Sequence, residues 1–62
     1  MSKTEILSKL QQDADANGVV QFDFSSDLSV KKVELNILKE LEYEGYITKL
    51  TNSLGYAIYS VH

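Results

Sequence analysis

The chain has 62 residues, no cysteine and no proline, and its 44% hydrophobic and 24% charged residues are the balance of an ordinary globular protein. Six lysines, with no arginine, stand against nine acidic residues and give a net charge of −3. This composition predicts a single domain over residues 1–62. The absence of cysteine excludes disulfide bonds and cysteine-based metal sites. A membrane-spanning helix is excluded because no apolar run approaches the required length.

The N-terminal segment has the pattern of a capped amphipathic helix. Ser2 and Glu5 stand three residues apart, which is the spacing of a capping box. One helical face is apolar and consists of Ile6, Leu7, Leu10 and Ala14. We therefore predict a helix over residues 2–16, which Asn17-Gly18 ends in a left-handed conformation.

The next segment alternates between apolar and polar residues. Val20, Phe22 and Phe24 are separated by Gln21 and Asp23, and this period of two predicts a strand over residues 19–24. The polar residues that follow, Ser25–Asp27, predict a break with room for one short helical turn ending at Leu28.

A second long helix is predicted over residues 30–44, with Ser29 as its N-cap. At about 100° per residue, Val33, Ile37 and Leu41 form one apolar stripe with Leu38 at its edge. Gly45 is expected to end this helix.

The C-terminal part predicts a β-hairpin. Residues Tyr46–Thr51 and Tyr56–Val61 are rich in β-formers and flank the turn-forming segment Asn52–Gly55. The predicted fold is α+β, with element order α-β-(short turn)-α-β-β and a three-stranded antiparallel sheet.

The sequence Leu38 to Ile47, LKELEYEGYI, followed by a hairpin, resembles the junction between recognition helix and wing in winged helix-turn-helix domains. The longer stretch FDFSSDLSVKKVELNILKELEYEGYI is similar to small YjcQ-type winged-helix proteins of bacteria and their phages. The resemblance implies a winged-helix-like domain, here with a reduced second helix, that binds DNA and regulates transcription. Only five residues, Ser25–Ser29, occupy the place of the helix that normally precedes the recognition helix.

The second long helix carries the candidate DNA-binding residues. Its predicted outer face and flank contain Lys31, Lys32, Asn36 and Lys39, and an asparagine can pair with an adenine edge in the major groove. Near the hairpin tip, Lys49 and Asn52 are candidates for phosphate contact. The same residues also fit a solvated helix face and a plain polar turn, and both interpretations stay open.

The alternative function is a non-catalytic protein-interaction module, such as a phage- or plasmid-type modulator of a host protein. An acidic or tyrosine-rich face would contact the partner, and the candidate interface residues are Tyr43, Leu54 and Tyr56. Tyr46 and Tyr59 are predicted to complete the core. A bare folded scaffold remains a third interpretation.

No catalytic arrangement is apparent. No cysteine is present, and the single histidine is His62, so we expect no enzyme activity, no cofactor and no metal site. We expect a cytoplasmic protein that binds double-stranded DNA or a protein partner. A homodimer would strengthen DNA binding, because six lysines give one copy few phosphate contacts.

Overall fold

Two helices pack on a three-stranded antiparallel sheet in the computed structural model, which describes residues 2–62. The elements in chain order are α1 (Lys3–Asp13), β1 (Val19–Asp23), α2 (Leu28–Tyr43), β2 (Ile47–Asn52) and β3 (Tyr56–Val61). The α+β class, the element order and the antiparallel sheet are those predicted from the sequence. Over residues 2–62, neither helix is long and apolar enough to cross a membrane.

Helix α1 begins as predicted and ends earlier than predicted. Ser2 is the N-cap, and its hydroxyl accepts a hydrogen bond of 3.2 Å from the backbone N–H of Glu5. The helix ends at Asp13 because Asp15 forms a competing turn, in which its carboxylate accepts the N–H groups of Asn17 at 2.8 Å and Val19 at 3.0 Å. Gly18 has a φ of +77° and shapes this turn, so its predicted role as the helix stop is wrong.

Helix α2 is capped by Asp27 instead of Ser29. The carboxylate of Asp27 accepts hydrogen bonds from the N–H groups of Ser29 at 2.9 Å and Val30 at 3.4 Å. A charged acceptor also interacts favourably with the positive end of the helix dipole, which gives Asp27 the advantage over a serine. The helix therefore begins at Leu28, and the connection Phe24–Asp27 contains no helical turn.

The C-terminal end of α2 forms a Schellman motif around Gly45, as the glycine predicted. The N–H of Gly45 donates to the carbonyl of Glu42 at 3.1 Å, and the N–H of Tyr46 donates to that of Leu41 at 3.0 Å. Gly45 has a φ of +87°, a conformation that favours glycine. The chain then turns directly into β2.

The sheet has the order β1-β3-β2, so the last strand is central. Val20 pairs with Tyr59 and Phe22 with Ala57, while Ile47 pairs with Val61 on the other side. The β2–β3 register shifts between Lys49 and Thr51, which is a β-bulge at Leu50. Three residues, Ser53–Gly55, join β2 to β3.

The core lies between the two helices and one face of the sheet. Its buried apolar residues are Ile6, Leu10, Val20, Phe22, Leu38, Leu41, Ile47, Ala57 and Tyr59. The α1 stripe is confirmed, since Leu7 and Ala14 pack against this cluster.

The predicted buried face of α2 is partly wrong. Val33 is 47% exposed, Ile37 is only partly buried, and the buried side chains of α2 are Glu34, Leu38 and Leu41. At about 100° per residue, the buried arc is rotated by about 60° from the predicted stripe. Glu34 lies on this buried arc, and its carboxylate accepts a hydrogen bond from the backbone N–H of Ser25.

Candidate nucleic-acid interface

Four polar side chains form an exposed stripe along α2, which we call the α2 stripe: Lys32, Asn36, Lys39 and Tyr43. Their spacings of four, three and four residues keep them within an arc of about 60°. All four are exposed, and Tyr43 is 93% exposed. The predicted outward position of this helix face is therefore present in the structure.

The lysines of the α2 stripe make no ion pair. Over residues 2–62, the ion pairs involve Lys3, whose ammonium lies 2.8 Å from Glu44 and 3.7 Å from Glu40. The hydrogen bond from Lys3 to Glu44, with the charges of both carboxylates, raises the pKa of Lys3. Two of the acidic side chains near the C-terminal end of α2 thus have a cation beside them, and the stripe lysines stay available to an external anion.

The Lys31 ammonium is bonded to another segment of the protein at the surface. Its ammonium donates a hydrogen bond of 2.7 Å to the carbonyl of Leu54 and lies 5.4 Å from the centre of the Phe24 ring. The N–H of Phe24 also donates to the carbonyl of Gly55 at 2.9 Å. These bonds fasten the hairpin tip to the N-terminal end of α2, so Lys31 has a structural partner where the sequence suggested a DNA contact.

The two hairpin candidates differ in position. Lys49 lies opposite Tyr59 in the sheet and is half-buried, on the sheet face that packs against the helices. Asn52 is the exposed last residue of β2. The structure therefore brings neither Lys49 nor Lys31 to a free, projecting wing.

The N-terminal end of α2 is already occupied by a carboxylate. Free N–H groups at a helix start form a favourable phosphate site, but Asp27 accepts two of them here and also the hydroxyl of Ser29 at 2.6 Å. The bonds from Ser29 and Val30 lower the pKa of Asp27. A phosphate contact at this end of α2 is disfavoured.

The predicted protein-interface residues do not form one surface. Tyr43 lies at the C-terminal end of α2, whereas Leu54 is bound to Lys31, which lies 12 residues or about 18 Å back along the helix. Tyr56 is partly buried in β3 and pairs with Asp23. Leu54 is 89% exposed, and Leu28 is a second exposed leucine at the same end of α2.

Two tyrosines were predicted to lie in the core, and the structure separates them. Tyr59 is 1% exposed, which confirms its prediction, and burial together with the charge of Glu42 raises its pKa to about 12. Tyr46 is about half exposed at the start of β2, so its core assignment is wrong.

Glu34 is a structural position that the sequence did not reveal. Its carboxylate orients the segment between β1 and α2, and therefore the start of the helix that carries the stripe. No local pattern signals a buried glutamate on a helix face. Within residues 2–62, no three histidine, aspartate or glutamate side chains form a group that could hold a metal ion.

Comparison of the chain with family models, with curated protein sequences and with solved structures returned no match.

Proposed function

We propose that this protein is a small winged-helix-like DNA-binding regulator that contacts the major groove with the α2 stripe. The observation that carries the proposal is the alignment of Lys32, Asn36 and Lys39 on one exposed, unpaired helix face. Lys32 and Lys39 suit phosphate or guanine, and Asn36 between them suits an adenine edge. The element order and the resemblance of LKELEYEGYI to winged-helix junctions support the same function.

The proposed contact uses the helix without a wing. Lys31 and the hairpin tip are bound to each other, so few cations remain for phosphate. With two stripe lysines per copy, the logarithm of affinity should fall against the logarithm of salt concentration with a slope of about −2 per copy. Binding by one copy is expected to be weak and confined to low salt.

A fluorescence-anisotropy titration on double-stranded DNA tests this proposal. Lys39→Gln should weaken binding and reduce the salt slope by about one, whereas Lys9→Gln on α1 removes the same charge away from the stripe and should leave the slope unchanged. Asn36→Ala should reduce discrimination between sequences by about 1–3 kcal/mol, since one base contact is lost. Undetectable binding at low salt, or equal effects of the two lysine variants, would remove the proposal.

A second candidate is the protein-interaction module, and the observation that favours it is the exposure of two leucines, Leu28 at the start of α2 and Leu54 in the β2–β3 connection. Leu28 and Leu54 are among the most exposed large apolar side chains of residues 2–62. Affinity capture with Leu54→Ser beside the unchanged protein tests it. A partner lost with the variant and retained after nuclease treatment supports this candidate, and a partner released by nuclease contradicts it.

A further inference from the structure

The two edges of the sheet differ in their protection. Because β3 is central, β1 and β2 are both edge strands. Edge β2 contains the bulge at Leu50, a feature that discourages further strand pairing. Edge β1 pairs with β3 over five residues in an unbroken register and has no bulge, lysine or proline.

The backbone groups of β1 that face away from the sheet can be identified from its hydrogen bonds. The carbonyl of Gly18 accepts from Val61 at 2.7 Å, and the N–H of Phe24 donates to Gly55 at 2.9 Å. In an antiparallel pair the backbone N–H and C=O groups of successive residues point alternately toward and away from the partner strand. The even-numbered residues of β1 therefore bond to β3. The N–H and C=O groups of residues 19, 21 and 23 therefore point outward.

Both ends of this outward row are closed by the protein itself. At one end, the N–H of Val19 donates to the carboxylate of Asp15 at 3.0 Å. The backbone N–H of Asp15 in turn donates to the carbonyl of Val19 at 2.9 Å. Beyond the strand, the N–H of Ser25 donates to Glu34. The open part of the edge consists of the N–H and C=O groups of Gln21 and Asp23, which we call the β1 window.

The β1 window borders a cleft beside α1. A cleft of about 150 Å³ lies between the two elements, and Lys9, Asp13, Gln21 and Asp23 contribute to its lining. Lys9 lies over the Phe22 ring at 5.6 Å, and the side-chain amide of Gln21 donates to the carboxylate of Asp23 at 2.8 Å.

We propose that the β1 window binds the same window of a second copy, so that two antiparallel β1 strands join the sheets around a two-fold axis at Phe22. Gln21 then lies opposite Asp23 of the second copy, and the N–H and C=O groups of both residues are paired in both copies. No like charges face each other across the new pairs, and the Gln21 amide has a second N–H for the opposite carboxylate. Two alternative positions of the axis are disfavoured. An axis at Gln21 would require backbone hydrogen bonds to Val19, whose N–H and C=O groups are already bonded to Asp15. An axis at Asp23 would place the Asp23 carboxylates of the two copies opposite each other.

This inference rests on the proposed function, for which it supplies two α2 stripes in one particle, but its test is separate. The contact is small, so we expect association at about 0.1–1 mM. Each copy has a net charge of −3, so higher salt should strengthen the dimer through screening. DNA binding has the opposite salt dependence, and failure of one is distinguishable from failure of the other.

Sedimentation equilibrium over a range of protein concentrations is the experiment. Gln21→Pro removes an outward N–H of β1 but no hydrogen bond to β3, and it should abolish the dimer. Asn52→Pro removes an outward N–H at the β2 edge and should leave the dimer intact. Gln21→Glu opposes two pairs of carboxylates and should also give a monomer, with the far-ultraviolet circular dichroism spectrum unchanged.

A gain of association completes the test. Gln21→Lys places a cation opposite Asp23 of the second copy in two symmetric pairs and should tighten the dimer about 3- to 10-fold. Gln11→Lys, on the exposed side of α1, changes the net charge equally and should have a smaller effect. A monomer at all concentrations up to about 1 mM, or equal behaviour of Gln21→Pro and Asn52→Pro, would overturn the inference.

Discussion

The carboxylate of Glu34 accepts a hydrogen bond of 2.9 Å from the backbone N–H of Ser25. Glu34 is 7% exposed on the core side of α2, and Ser25 lies in the connection that leads from β1 to that helix. One side chain therefore satisfies a backbone donor in a segment with no helical or sheet partner. It also fixes how the start of α2 sits relative to the sheet.

Replacing Glu34 should destabilise the protein, and the loss should be larger when the substitution removes the hydrogen-bond acceptor completely. Glu34→Ala removes a hydrogen bond to a charged group and leaves the Ser25 N–H without its partner, so we expect a loss of about 1.5–3 kcal/mol in the free energy of unfolding. Glu34→Gln keeps an oxygen acceptor and should lose less. Urea denaturation of both variants measures the difference, and equal stability of Glu34→Ala and the unchanged protein would contradict it.

The rotated face of α2 makes a second prediction about stability. Leu38→Ala should lower the free energy of unfolding by about 2–5 kcal/mol, because Leu38 is fully buried. Val33→Ala should lower it by less than about 1 kcal/mol, since the side chain is half exposed. Thermal denaturation of the two variants under identical conditions compares them. A larger loss of stability for Val33→Ala than for Leu38→Ala would mean that the predicted stripe, which contains Val33, is the buried face of α2.

Asp27 should make stability depend on acidic pH. Its pKa is lowered in the folded protein, so its stabilisation is complete above the ordinary value of 3.8 and is lost as pH falls through the lower folded value. Asp27→Asn keeps a good N-cap without a titrating charge and should flatten this part of the profile. Melting temperatures between about pH 2 and pH 6 provide the measurement. A profile that Asp27→Asn leaves unchanged would assign the acid dependence to other carboxylates.

Tyr59 should produce the opposite dependence at alkaline pH. Its folded pKa of about 12 lies above the ordinary value of 10.0, so the unfolded chain ionises first and stability falls as pH rises between these values. The fall from this group is at most about 1.4 kcal/mol per pH unit. Tyr59→Phe should lose this component, and spectroscopic titration of the phenol gives an independent reading. A Tyr59 that ionises near pH 10 in the folded protein would refute the assignment.

The two glycines with positive φ should differ in their tolerance of alanine. At Gly45 an added Cβ meets no atom within 4 Å, so Gly45→Ala should cost only the conformational penalty of about 1–2 kcal/mol. At Gly18 the Cβ would lie 3.1 Å from the carbonyl oxygen of Val61, so Gly18→Ala should cost more. Unfolding free energies of the pair test the order. A larger loss at Gly45 would show that contact with Val61 is not the deciding factor.

Much of the fold could be predicted from local patterns because local chemistry decides it. The Ser2 cap, the Gly45 helix end and the hairpin each depend on residues a few positions apart. The errors in helix boundaries occurred where two local solutions compete, as at Asp27 and Ser29, or where a turn displaces a helix end, as at Asp15. In both places a carboxylate takes the backbone donors that the pattern assigned elsewhere.

The candidate site was predicted less completely. The outward position of Lys32, Asn36 and Lys39 follows from helix periodicity, and the structure places all three there. The hydrogen bond from Lys31 to Leu54 joins residues 23 positions apart, and no periodicity reports such a contact.

The sequence by itself determined the order of elements, the Ser2 cap, the Gly45 helix end and the polar side of α2, because hydrogen-bonding chemistry and side-chain periodicity act over a few residues. Only the tertiary structure decided that Glu34 is buried, that Lys31 is held by Leu54 and that β1 keeps two residues open at its edge. Each of these depends on segments distant in sequence meeting in space, and at Glu34 burial requires that the polar group be paired.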